Sequence, residues 1–256
     1  MFNPEIKRTQ SGVPVISKLE IDGIGEEIIR DFCPIALKEP QAINIDLLAQ
    51  DYMKMEQDFQ YLSHNGIYLG MTIFNDTKKV PVYNPIKRRA EYIHARANTI
   101  IIDNSLLEPN QNNRYRFTMG HEVAHGFLHK EYFCCDPNQY TLSMVHAEAM
   151  IQCRVDMSKH KEPTDGKSSD KQWMEWQANT LSSAILMPKP AVFIVVDNLH
   201  QRNYKYQRFL YEAIDKLSSV FEVSHKAAES RLRMLGVLEQ DIQINMQFLP
   251  LIRICV

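Results

Sequence analysis

The sequence predicts an α+β fold in which a small antiparallel sheet packs on two strong helices. Three observations predict it. Short segments rich in β-branched and aromatic residues, separated by turn signals, fill residues 59–103, and helical periods replace them after Asn112. The composition, 45% hydrophobic and 23% charged over 256 residues, is that of a globular chain able to bury a full core without covalent staples.

Taken in order, residues 1–20 have no clean period and read as an irregular arm. A helical pattern from Ile24 stops at Cys33-Pro34, and a second opens at Ile45 behind an Asn44 cap. Strand segments follow at Phe59–Leu62, Gly66–Phe74 and Val80–Tyr83, a meander whose turns fall at His64-Asn65-Gly66 and Asn75-Asp76. A fourth strand, Thr99–Asp103, is apolar enough to be central. Asn112 and Asn113 are placed to cap a helix running to about Lys130, and another helical pattern covers about Leu142–Val155. The polar stretch from Asp156 to Lys171, with Pro163 and Gly166, reads as a surface loop. A strong helix from about Lys171 to Leu186 is stopped by Pro188 and Pro190. Two more are expected at 205–220 and 224–235, the last capped by Ser224 and ended by Gly236. These changes divide the chain into an N-terminal arm and helical segment (1–58), a central α+β unit (59–190) and a C-terminal helical extension (191–256).

Charge and composition exclude several classes of function. Lys plus Arg total 29 against 31 Asp plus Glu, a net charge of −2, so no global field draws the chain to nucleic acid or to an anionic membrane. The first twenty residues lack the apolar stretch of a signal peptide, and the longest strongly apolar run, Ala191–Val196, is far short of the ~20 residues of a membrane span. Five cysteines, Cys33, Cys134, Cys135, Cys153 and Cys255, form no CxxC pair and read as reduced thiols in a cytoplasm.

The chemistry is carried by Arg116-Phe-Thr-Met-Gly-His121-Glu122-Val-Ala-His125, an HExxH pattern on a predicted helix. Four residues advance a helix by slightly more than one turn, so His121 and His125 share a face and a metal ion. Glu122, one residue round, is positioned to take a proton from a metal-bound water without being a ligand. The competing reading is two histidines merely hydrogen-bonded in a core. A catalytic zinc needs a third protein ligand and an open position. A third histidine ten residues after His121 is missing, since that position is Glu131, and His129 reads as a helix C-terminal histidine favoured by the dipole. The better candidate is Glu175 on the second strong helix, with Ala178 and Asn179 at i+3 and i+4. Ala178 lets the helices approach, and the Asn179 amide oxygen would accept an imidazole N–H and fix its tautomer.

The paired blocks RFTMGHEVAHGFLH and EWQANTLSSAILMP resemble the ImmA/IrrE family of zinc metallo-endopeptidases, whose signatures are HExxH after Arg-Phe-Thr and ExxAN before a Leu-Met-Pro helix end. The segments ANTIIIDNSL and FEVSHKAAESRLRMLG are similar to that family too, and the resemblance covers about residues 60–235. It implies a zincin-like zinc peptidase domain with Zn2+ on His121, His125 and Glu175 and with Glu122 as general base. It also implies a protein substrate, a helix-turn-helix repressor. Val123-Ala124 stand where the commoner pattern has Leu-Gly. The spacer before Glu175 is longer than in many relatives and holds Cys134, Cys135, His146, Glu148 and Cys153, so His146 or a thiolate is the alternative third ligand. For a second donor to the oxyanion, Tyr132, Tyr140 and His146 are the candidates.

A different class of function competes, a non-proteolytic, DNA-associated or scaffolding regulator with structural zinc. The helices at 205–220 and 224–235 have the lengths of a helix-turn-helix and carry Lys226, Arg231 and Arg233, although Glu222 and Glu229 dilute that charge and plain packing is the simpler reading. Lys87, Arg88, Arg89 and Arg96 read as a solvated loop, so direct nucleic-acid binding is not expected. Of Trp173 and Trp176, one is expected in the core and the other at a cleft.

Overall fold

The structure, a computed structural model, describes residues 1–133, 150–154, 162–163, 168–200 and 206–238. Helix α1 (Lys18–Phe32) starts earlier than its apolar period suggests, because Ser17 and Glu20 form a reciprocal capping box, and it ends at Cys33 as expected. Asn44 caps the single α-turn α2 (Ile45–Leu47) by accepting from the Leu47 N–H, and the chain runs on into a π-turn over Leu48–Tyr52.

The strands are β1 (Glu56–Gln60), β2 (Tyr68–Ile73), β3 (Thr77–Asn84), β4 (Arg89–Ala95), β5 (Thr99–Asp103) and β6 (Met150–Arg154). They correct the expected meander. One sheet has the order β1-β5-β2-β6, with β1 parallel to β5 and the other pairs antiparallel, and β3 and β4 form a separate hairpin. The fully buried β5 lies inside the sheet, as its unbroken apolar run requires. Its alternation serves two cores: Ile100 and Ile102 join the main helical core, and Ile101 joins Met71, Ile73, Val80 and Val82 under the hairpin. β4 escaped the sequence reading because its inward face opens with the charged Arg89 and Glu91 before Ile93 and Ala95, while the apolar Ala90 and Tyr92 fall on the exposed face, which hides the alternation. β6 replaces the end of the helix expected at 142–155, paired with β2 from Tyr68 to Ile73. Positions 142–149 lie outside the described residues, as does most of the 156–171 loop.

The second half is helical: α3 (Asn112–Leu128), α4 (Lys130–Phe133), α5 (Asp170–Leu186), α6 (Lys189–His200), α7 (Tyr206–Phe221) and α8 (His225–Met234). Asn112 begins α3 rather than capping it; Gln111 holds the cap position and makes no side-chain cap bond. Ser169 and Gln172 form a capping box on α5, and Ser224 caps α8 by accepting from the Ala227 N–H. Pro188 ends α5, but Pro190 sits in the first turn of α6, where a missing N–H loses nothing, so it opens a helix instead of blocking one. Gly236 takes φ +73 past the end of α8, the left-handed geometry expected of a helix stop.

One apolar core gathers Ile21 and Ile28 of α1, Val123 and Leu128 of α3, Leu181 and Ile185 of α5, Val192 of α6, Leu217 of α7 and Leu232 of α8. Residues from all three sequence segments, 1–58, 59–190 and 191–256, therefore share it. Among the described residues no single helix is long and apolar enough to cross a membrane; α5 and α6, apolar in sum, meet at 57° and contribute buried faces to this core.

Candidate metal centre

Helices α3 and α5 cross closely because small groups face each other at the contact. A Cβ on Gly120 would stand 2.7 Å from Ser182 Oγ, Ala178 is fully buried, and Ser182 Oγ donates to the Phe117 carbonyl at 3.2 Å. This approach carries Glu175 onto the face of α3 that holds His121 and His125. The Nε2 atoms of the two histidines lie 2.9 Å apart, with Glu175 Oε2 3.3 Å from His121 Nε2 and Glu175 Oε1 3.6 Å from His125 Nε2. Both imidazoles are buried, while the Glu175 side chain is 29% exposed and marks the side on which the cluster meets solvent. Asn179, one turn along α5, accepts from His121 Nδ1 at 2.9 Å, which leaves His121 Nε2 bare toward the cluster.

Three side chains thus bring one donor atom each within 4.8 Å of one another, the one such group of three or more among the described residues. Two imidazole nitrogens and a carboxylate are a donor set that zinc takes. The unsatisfied atoms agree with that fit. Glu122 Oε1 and Glu175 Oε1 are both buried with no hydrogen-bond donor, an arrangement that costs free energy unless a cation and its water supply what is missing.

Glu122 is wholly enclosed. Thr72 Oγ1 on β2 donates to its Oε2 at 2.6 Å, and the neighbouring strand position is glycine for a steric reason: a Cβ on Gly70 would lie 2.5 Å from Glu122 Oε1. Burial pushes the Glu122 carboxyl up to about 7, with the Glu175 charge adding to the rise and His121 and Thr72 opposing it. A base of that strength is matched to neutral-pH proton transfer. Neither Gly70 nor Thr72 was found from the sequence, because nothing local to a strand segment tells which side chain will meet it from a helix fifty residues away.

His129 corrects its sequence reading. It is fully buried at the C-terminal cap of α3, and burial drives its imidazole down to about 3, so the ring is neutral and a charge on the helix dipole has no part there. Its nitrogens face His125 Nδ1 and Gln177 Oε1, each at 2.9 Å. The His125 imidazole is held well below its usual range by burial, then by the neighbouring His121 and His129.

The remaining candidates separate. Tyr132 packs against Gly12 and the Phe133 ring; Cys134, Cys135, Tyr140, His146, Glu148 and Cys255 lie outside the described residues. Cys153 falls on β6, opposite Gly70. Trp176 is buried, and Trp173 packs edge-on against it, half-buried. Two basic groups of the possible helix-turn-helix are engaged internally: Arg231 is fully buried 2.6 Å from Asp22 Oδ1, and Arg233 pairs with the buried Glu229; Lys226, 3.5 Å from the same carboxylate, is exposed. Lys87 and Arg89 are spent on Glu91, and Arg96 sits 3.9 Å from Glu56.

The sequence pattern of one known family matches residues 81–233: Peptidase_M78, the IrrE N-terminal-like domain. The matched stretch begins within β3 and contains β4, β5, both helices of the candidate metal centre and most of α8. No curated protein matches the chain.

Proposed function

Because the chain belongs to the IrrE N-terminal-like peptidase family, Peptidase_M78, we propose that it is a cytoplasmic zinc-dependent endopeptidase that hydrolyses one specific protein. The observation that carries this reading is the convergence of His121 Nε2, His125 Nε2 and a Glu175 oxygen within 4.8 Å, beside a Glu122 oxygen that is buried without a partner.

His121, His125 and Glu175 would hold the metal, with Asn179 orienting His121. When bound, zinc supplies Lewis-acid activation of water and of the scissile carbonyl. The chain's own contribution is proton movement and placement. Glu122 Oε1 takes the proton of the attacking water, while Thr72 holds Oε2 and so leaves Oε1 as the oxygen with no hydrogen bond of its own. As the C–N bond breaks, the same oxygen returns that proton to the leaving amine. Enclosure of Glu122 and both histidines keeps bulk water from competing.

The substrate in this reading is a helix-turn-helix repressor, the partner implied by the resemblance of the paired motifs. Direct DNA binding is not part of it, in keeping with the internal pairing of Arg231 and Arg233. The test is incubation of the zinc-loaded protein with the repressors encoded beside it, followed by mass spectrometry of the products. Cleavage by wild type and none by Glu122→Gln supports the proposal. Equal cleavage by both refutes the role of Glu122, and a repressor left intact by the zinc-loaded wild type refutes the substrate.

A further inference from the structure

His129 is a buried imidazole outside the His121–His125–Glu175 cluster, and its surroundings fix which of its nitrogens carries the proton. The Pro14 carbonyl can only accept, and Gln177 Nε2 donates to it at 2.8 Å. That fixes the amide: Gln177 turns its oxygen toward His129 Nε2, 2.9 Å away, and this nitrogen must carry a proton. Fully buried between a neutral amide and another imidazole, the His129 ring holds one proton only, so its Nδ1 is a bare acceptor. The group facing that acceptor at 2.9 Å is His125 Nδ1, whose N–H has its acceptor there whenever a metal takes Nε2. In the other tautomer of His125 a proton would stand between the two Nε2 atoms, 2.9 Å apart, where the metal would bind.

We propose that Pro14, Gln177 and His129 form a hydrogen-bonded relay that locks His125 in its Nδ1–H tautomer and so presents a bare Nε2 to the metal, with His129 as the positioning residue. The inference rests on the metal reading above and adds to it. Asn179 does the same for His121 in one step; His125 has no such amide beside it and reaches its acceptor through a second imidazole. The far end of the relay is held by the N-terminal arm, which precedes the family-matched stretch. Thr9 and Val13 close a turn, Gly12 takes φ +93 within it, and Arg8 Nη1 donates to the Gly12 carbonyl at 3.1 Å and to the Leu128 carbonyl at 2.9 Å. Arg8 thereby ties the arm to the end of the same helix that carries both histidines. Val13, buried beside Pro14, anchors the turn in a small apolar cluster with Phe133 and Met174.

Two measurements test the relay, neither of them activity. In the zinc-loaded wild type with 15N-labelled histidine, imidazole NMR is expected to place the proton of His129 on Nε2 and that of His125 on Nδ1, hydrogen-bonded to His129; a proton on His129 Nδ1 overturns the proposal. Zinc affinity, by competition against a chromophoric chelator, is expected to fall about 10- to 100-fold in His129→Leu, the loss usual when the partner of a ligand imidazole is removed. In His129→Asn, whose amide oxygen stands close to the place of Nδ1, it should stay within a few-fold of wild type. Gln177→Leu frees the His129 tautomer and should weaken binding while leaving the cluster's donors in place. Wild-type affinity in a folded His129→Leu and in Gln177→Leu overturns the relay alone. If His129→Leu does not fold, Gln177→Leu and the wild-type spectrum decide the matter. A wild type that binds no zinc overturns the metal reading beneath it, a separate and recognisable failure.

Discussion

At the residue scale, the proposed site separates groups that would hold a metal from the group that would move a proton. Glu122→Gln keeps the size of the side chain and its contact with Thr72 but removes the base, so hydrolysis should fall by at least ~10²-fold with zinc content unchanged. A drop in bound zinc equal to the drop in rate would instead make Glu122 a ligand. His129 gives a pH prediction with a definite sign. Its folded value of about 3 lies below its unfolded value of ~6.5, so the neutral ring favours the folded state fully above pH 6.5, and that contribution is lost as pH falls from 6.5 toward 3. Urea midpoints of the metal-free protein at pH 7.5 and pH 5 should drop further for wild type than for His129→Asn; equal drops would show a ring that is already charged when folded. The α3 half of the candidate metal centre was legible in the sequence because His121, Glu122 and His125 sit within five residues of one helix and one turn brings the histidines together. Glu175 and Asn179 were legible from a second helix with the same spacing. His129 was misread because a charged histidine at a helix end and a neutral one buried there look alike until the partner, Gln177, is known.

At the scale of elements, the site depends on how closely a strand and a helix can lie against α3. Gly70→Ala places a methyl 2.5 Å from Glu122 Oε1 and 2.8 Å from Thr118 Cγ2, so the carboxylate must move. Cleavage should fall about 10²-fold, the effect of misplacing a catalytic group by about 1 Å, with zinc affinity close to wild type. Unchanged kinetics would mean that Glu122 has room to spare. Gly25 plays a similar part between α1 and α5, where an added Cβ would meet Ala184 Cβ at 2.7 Å and its backbone carbon at 3.2 Å. Gly25→Ala should cost about 1–3 kcal/mol of stability by denaturant unfolding, the range of an overpacked core; a neutral or stabilising change would show that the helices can part without loss. Helix ends with local signals, such as Ser224 and Gly236, were readable. Strand pairing was not: which strand lies parallel to β5, and that β6 covers the far edge of β2, depends on contacts across tens of residues that no turn signal records.

At the scale of the whole molecule, the C-terminal helices and the N-terminal helix are bound to the helices of the candidate metal centre by buried polar links as well as by the shared core. Arg231 on α8 pairs with Asp22 on α1 at 2.6 Å and donates to the Met187 carbonyl at the end of α5. Arg116 on α3 donates to the Ile43 carbonyl before α2 and to the Glu222 carbonyl after α7. Arg231→Met leaves Asp22 buried without its partner and should cost about 3–5 kcal/mol, most of it recovered by adding Asp22→Leu. A double variant no more stable than the single would place the loss in packing and not in charge. Of the basic residues that made α7 and α8 look like a DNA-reading pair, Arg231 and Arg233 are paired inside the fold and Lys226 alone stays exposed. The account of the whole molecule rests on one event, a metal ion held between α3 and α5. Zinc per chain, by elemental mass spectrometry after dialysis without chelator, tests it directly on wild type and Glu175→Ala. About one zinc per wild-type chain and much less in the variant is the predicted result; a wild type that stays metal-free after zinc supplementation would contradict it and return His121 and His125 to the status of hydrogen-bonded core histidines.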